Sequence, residues 1–283
     1  MNVLPHSPWP AAAPARRRPR RRSPARTTHV LLLVAGVVAL AVLVVTLLGA
    51  ARSHPAAADG PPVPPDAATT PLATPSPAPD GSGGYVFMAT EDGSGVPVRW
   101  DPCRPIHYVV RPDGAPPGGQ ALLEQAIARI SALTGLVFVD DGSTDEAPGV
   151  RRPVVDRSRY GNRWSPVLIA WTDPEEYPEM SGAAGRGGPV QVPGDGPDRW
   201  HYVSGVVFLN GANLRDVVNW NAGRAKIRGV ILHELGHLVG LAHSSDPNQL
   251  MYDRQTVLAG ETLGDGDLRG LSGLGGGPCF GPS

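Results

Sequence analysis

The sequence predicts an α+β domain, a twisted mixed β-sheet with helices packed on it, preceded by a single transmembrane helix and a Pro/Ala-rich linker. Three observations carry this. Short runs rich in branched and aromatic residues recur between residues 85 and 210, two long segments repeat apolar residues at helical spacing, and proline and alanine crowd the first eighty residues. The chain has 36 glycines and 32 prolines among 283 residues. Their uneven spread leaves roughly the last two hundred residues to build one sizeable core.

In chain order, residues 1–29 form a basic segment containing "RRRPRRR". Residues 30–51, "VLLLVAGVVALAVLVVTLLGAA", are 22 residues without a charge, long enough to cross about 30 Å of hydrocarbon as a helix. The arginines just before this run place the N-terminus in the cytoplasm and everything after residue 52 outside. A cleaved signal peptide is the alternative, since "LLGAARSHPAAA" offers small residues to a peptidase, and the domain would then be secreted. Residues 52–83 have almost no large apolar side chains and many prolines, the composition of a disordered, extended linker. Residues 84–283 remain as the folded domain.

Charge narrows the function. Eight of the 25 basic residues and three of the 26 acidic ones precede residue 84, so the remainder carries 17 basic and 23 acidic residues, a net of −6. A nucleic-acid surface is excluded by that balance. Oligomeric state is not legible. The two cysteines, Cys103 and Cys279, suit an exported domain, where a bond between them would tie the C-terminal tail to the start of the fold; two free thiols are the alternative.

Within the domain, "YVFM" (85–88) and "PIHYVVRP" read as strands around 85–88 and 106–111, separated by a glycine turn. Leu122, Leu123, Ile127, Ile130 and Leu133 form the stripe of a helix stopped by Gly135. Strands follow at 136–140 and 166–172, with a polar, Arg-rich loop between them. "GPVQV" (188–192) is a short edge strand and "YVSGVVFLN" (202–210) another strand. From Ala222 to Val239 the residues Ile227, Val230, Ile231, Leu235, Leu238 and Val239 recur at helical spacing, with Asn221 as the expected N-cap.

That last helix carries His233 and His237, four residues apart and therefore on one face, where both imidazoles can reach one ion. Glu234 points about 100° further round, poorly aimed for ligation but able to reach a water on the ion. Gly240 can end the helix in a left-handed conformation, after which the chain turns and His243 can return as third ligand. Three protein ligands and one open position are what catalytic zinc needs. A buried helix with incidental polar residues would account for one histidine, but not for Gly240, His243 and then Met251 at fixed offsets.

"HELGHLVGLAH" reads H-E-x-x-H-x-x-G-x-x-H, and "LMY" follows after a short polar loop, so the segment resembles the zinc site and Met-turn of metzincin peptidases. Within that clan it is most similar to the matrixins, which share the "HSS" that begins at the last ligand, the loop proline (Pro247) and the triplet Leu250, Met251, Tyr252. "LGDGDLRGLSGLGG" resembles the matrixin C-terminal helix, with Asp267 where that family has an acid fastening the helix beneath the Met-turn. The close resemblance runs from the metal-site helix to Gly275; over residues 84–220 only the order of elements agrees.

The resemblance implies a metzincin-like fold and a zinc-dependent endopeptidase acting on extracellular proteins. One zinc would be held by His233, His237 and His243, activating a water. Glu234 would serve as general base and pass the proton to the leaving amine, while Met251 forms an apolar floor under the histidines. Substrate would lie extended along the edge strand near residues 188–192. Two departures matter. Asp253 stands where vertebrate-type matrixins have proline, which leaves side-chain preference open, and the linker has no cysteine to act as a latency switch. His107 and His201 are too few for a second zinc. The acidic loops "DDGSTDE" and "PGDGPD" have the composition of calcium loops and equally of solvated turns. The alternative function is a catalytically inactive zinc-binding surface protein, against which the intact Glu234 stands.

Overall fold

The computed structural model describes residues 61–91, 94–149, 151–194, 199–253 and 260–280. Its strands are β1 (Val86–Phe87), β2 (Arg99–Trp100), β3 (Ile106–Arg111), β4 (Phe138–Ser143), β5 (Val167–Thr172), β6 (Gly185–Pro193), β7 (Trp200–Asn210) and β8 (Leu241–Ala242). The helices are α1 (Gly119–Thr134), α2 (Arg157–Tyr160), α3 (Gly211–Val217), α4 (Gly223–Val239) and α5 (Asp265–Gly275), with a 3₁₀ turn at Pro178–Met180.

Six strands make one mixed sheet in the order β2-β7-β5-β3-β4, with β6 on the other side of β7. All pairings are parallel except β6 with β7. The central strand β5, "VLIAWT", is buried at every position, as a parallel strand covered on both faces should be. Its alternation divides the core. Val167, Ile169 and Trp171 face the larger cluster with α1, α4 and α5, whereas Leu168 and Ala170 join Tyr177, Met180 and Phe208 on the other face. The α+β expectation therefore holds, with the long helices gathered on one face.

Element bounds moved where local hydrogen bonds outweighed composition. The strand expected from Leu136 starts at Phe138, because Leu136 N–H donates to Thr134 Oγ1 and its carbonyl accepts from Ser131 Oγ, finishing α1. Gly135 caps that helix at φ 71° as its position required. The edge strand expected at 188–192 is longer, Gly185–Pro193. The strand expected at 85–88 shrinks to β1 and pairs with β8, outside the main sheet. Asn221 does not cap α4. Ala222 takes that position at φ 55° with no side-chain cap, because the unforeseen α3 ends just before it and the chain reverses through the Gly223 N–H to Trp220 carbonyl bond.

The expectation of a disordered linker through residue 83 is corrected for residues 61–83, which run along the domain as a strap. Ala68 and Leu72 N–H groups donate to the carbonyls of Cys103 and Pro102, and Ser76 bonds Ala132 through both N–H and hydroxyl. Ser272 Oγ donates to Ser76 carbonyl, and the Arg269 guanidinium to the Gly81 and Gly83 carbonyls. Pro75 crosses directly over Gly135, where a Cβ would lie 2.7 Å from its nitrogen. Composition suggested disorder because few apolar groups are available. Proline, however, lowers the entropy lost on ordering, and backbone hydrogen bonds to the domain supply the attachment.

Cys103 and Cys279 form a disulfide with Cα atoms 5.4 Å apart across a separation of 176 residues. No helix among the described residues is long and apolar enough to cross a membrane; the apolar run at 30–51 lies outside the described residues.

Candidate metal centre

The helix α4 packs against β6 so closely that two glycines of the strand are required. A Cβ on Gly185 would sit 2.6 Å from Glu234 Cγ, and one on Gly187 would collide with the Glu234 backbone carbonyl. The sequence "GRGG" thus lets a strand edge lie on the turn that carries the histidines. That signal was present in the glycine spacing, but only the packing gives it meaning.

The three imidazoles meet. His233 Nε2 and His237 Nε2 lie 3.2 and 3.1 Å from His243 Nε2. The other nitrogens of the two helical rings are committed: His233 Nδ1 lies 2.8 Å from the Leu250 carbonyl and His237 Nδ1 2.8 Å from the Leu241 carbonyl. Carbonyls only accept, so each Nδ1 carries the proton and each Nε2 turns a lone pair inward. Converging lone pairs repel unless a cation lies among them, and this donor set fits a metal ion. Burial lowers the pKa of His233, and burial with repulsion from His233 lowers that of His237 to about 4. Both rings are thus held in the neutral, ligating form.

His243 reaches the site through the turn anticipated from Gly240, which adopts φ 121° and donates to the Gly236 and His237 carbonyls. Met251 is buried against the same helix, and its sulfur would lie 2.6 Å from a Cβ on Gly236. The middle glycine of "HELGH" is therefore the seat of the methionine. The turn is fixed by the fully buried Asp267, whose carboxylate accepts from the N–H groups of Leu250 (2.5 Å), Met251 (3.3 Å) and Gly264 (2.9 Å). Gln249 Oε1 accepts in return from Asp267 N–H at 2.9 Å, a contact the sequence reading missed. Burial raises the Asp267 pKa despite these bonds. Tyr252 lines the adjoining cleft, and its N–H donates to the Gln249 carbonyl at 3.2 Å.

Glu234 is 6% exposed. Burial pushes its carboxyl up to about 8, opposed by the Arg186 charge and the Gly187 N–H. It lines the same open cleft of about 310 Å³ as the three histidines, together with Gly182–Gly187 on one side and Leu250, Tyr252 and Asp253 on another. The part of β6 beside the histidines is therefore 185–187, N-terminal to the stretch expected from sequence.

The remaining candidates lie elsewhere. His107 is held between Asp66 and Asp141, and the His201 ring lies tilted against Phe280 with centroids 5.3 Å apart. In "DDGSTDE", Asp141 pairs with Arg163, Asp145 with Arg159 and Glu146 with Arg152, so these acids are neutralised within the chain. The second loop, "PGDGPD", falls largely outside the described residues. Another cluster, Asp101 with Cys103 and Cys279, has both sulfurs consumed by the disulfide.

Two imidazoles from α4 and a third from the turn that follows it thus converge beside a buried methionine. Residues 183–274 match the family model described as matrixin, peptidase family M10, and over that stretch the chain is similar to the matrixins. Among solved structures, archaemetzincin from Methanopyrus kandleri aligns at 16% identity over 57% of this chain and 84% of that one, with a TM-score of 0.33. That likeness is too distant to fix any position here.

Proposed function

We propose that this chain is a zinc-dependent endopeptidase, anchored by residues 30–51 with its catalytic domain on the extracellular side. The observation that carries the reading is the convergence of three Nε2 atoms beside a buried carboxylate in an open cleft. Zinc held by His233, His237 and His243 would act as a Lewis acid toward the scissile carbonyl and acidify water. Glu234, kept from easy ionisation by burial, is suited to take a proton and return it to the leaving amine. The N–H and carbonyl groups on the open side of β6 offer an extended peptide a strand to pair with. The arginine-flanked apolar run and the disulfide favour export.

Glu234→Ala is expected to abolish proteolysis while zinc content after dialysis stays at one per chain. Undiminished proteolysis in that variant rules out the mechanism, and chelator-insensitive proteolysis by the unaltered protein rules out the metal's role.

A further inference from the structure

The cleft beside the imidazoles continues along α4 away from them. His237, His233, Val230 and Lys226 all line it, and steps of four, three and four residues keep them on one face of the helix. Lys226 lies seven residues before His233, roughly 10 Å along the axis. At Gly229 a Cβ would run into the Gly260 carbonyl. Gly260 therefore rests directly on the helix there, and between His233 and Lys226 the helix presents the apolar Val230.

Lys226 is half-buried, with its ammonium 5.7 Å from the centre of the Trp220 ring. No carboxylate pairs with it among the described residues. An ammonium reached along the same cleft past the apolar Val230 offers an anionic group an opposite charge. Among the described residues the other basic side chain lining the cleft is Arg186, whose Nε donates to the Glu179 carbonyl at 2.6 Å and whose charge acts on Glu234. Asp253, of opposite sign, lies on the segment after Met251, where its N–H bonds the Ser244 carbonyl at 3.0 Å.

We propose that Lys226 is a specificity residue, selecting in a peptide bound in this cleft a carboxylate side chain long enough to pass Val230, glutamate before aspartate. That the occupant is a peptide rests on the function proposed above; the charge selection itself needs no turnover.

The test uses the full zinc-loaded chain and peptides identical except for Glu, Gln or Lys at each position flanking the cleaved bond. Glu is expected to exceed Lys in kcat/KM by roughly threefold to tenfold at one of those positions. Lys226→Met should bring that ratio close to one, and Lys226→Glu should invert it. Fluorescence anisotropy of the same peptides on the Glu234→Gln chain, with and without the Lys226 substitutions, reads selection without cleavage. Cleavage with no discrimination between Glu and Lys, or a ratio unmoved by both Lys226 substitutions, overturns the proposal and leaves the peptidase reading standing. No cleavage but a binding preference that inverts with Lys226→Glu supports the charge selection and overturns the peptidase reading. Neither cleavage nor preferential binding overturns both.

Discussion

Asp267 is the residue on which the floor of the metal centre turns. It is fully buried and accepts three backbone N–H groups, two of them from the Leu250–Met251 turn, and the carbonyl of Leu250 in turn orients His233. Truncation to alanine strands two buried donors and a half-buried one, at about 1–3 kcal/mol for each buried group before relaxation. Asp267→Ala is accordingly expected to lose about 3 kcal/mol or more of unfolding free energy in urea titration and to weaken zinc binding. Asp267→Asn keeps one carbonyl acceptor and should lose less. Equal stability of the alanine variant and the unaltered chain contradicts this role. The histidines, Glu234, Gly240 and Met251 were legible in sequence because each sits at a fixed offset along one continuous segment. Gln249, which bonds back to Asp267, was not, since a glutamine in a polar loop carries no periodic signal.

At the scale of elements, the contact of β6 with α4 sets the cleft. The strand lies at the edge of the sheet, and it approaches the helix because Gly185 and Gly187 have no side chains to meet Glu234. Gly187→Ala places a Cβ against a helix carbonyl that cannot move without breaking its own hydrogen bonds, so the strand must withdraw. A cost of about 1–3 kcal/mol is expected, read as a lower Tm, together with a raised KM for peptide. An unchanged Tm means the strand is not held there. The apolar runs announced β3, β5 and β7, whose burial follows directly from composition. The glycine-rich β6 was foreseen too short, because glycine reads as turn until a neighbouring helix demands its absence of Cβ.

Across the whole molecule, the strap and the disulfide join the ends of the domain to its middle. His107 is the polar latch, with Nδ1 2.8 Å from Asp141 and Nε2 2.8 Å from Asp66 on the strap, while Arg163 holds the other oxygen of Asp141. Both ring nitrogens face carboxylates, so both donate and the ring is an imidazolium. Burial is the largest single influence and lowers its pKa, but the hydrogen bonds and charges of Asp141 and Asp66 together outweigh it and raise the value above 6.5. The folded state thus binds the proton more tightly than the unfolded one. The stabilisation is fully present below 6.5 and is lost as pH rises through the raised folded value. The stability difference between the unaltered protein and His107→Gln should shrink as pH rises above 6.5 in urea titrations, with cleavage of residues 61–83 by an added protease increasing over the same range. A pH-independent difference would exclude the latch.

By itself the sequence determined the class of fold, the three imidazoles, the adjacent carboxylate and the methionine turn, because these depend on helical period and on a glycine that ends a helix, both local properties of the chain. Tertiary structure alone decided that a proline-rich segment lies strapped to the domain and that two glycines admit a strand to the metal helix. It also decided that His107 serves the strap and that Lys226 lines the cleft. These depend on which surfaces meet across long sequence separations, where close approach, desolvation and the pairing of charges are set by packing rather than by spacing along the chain.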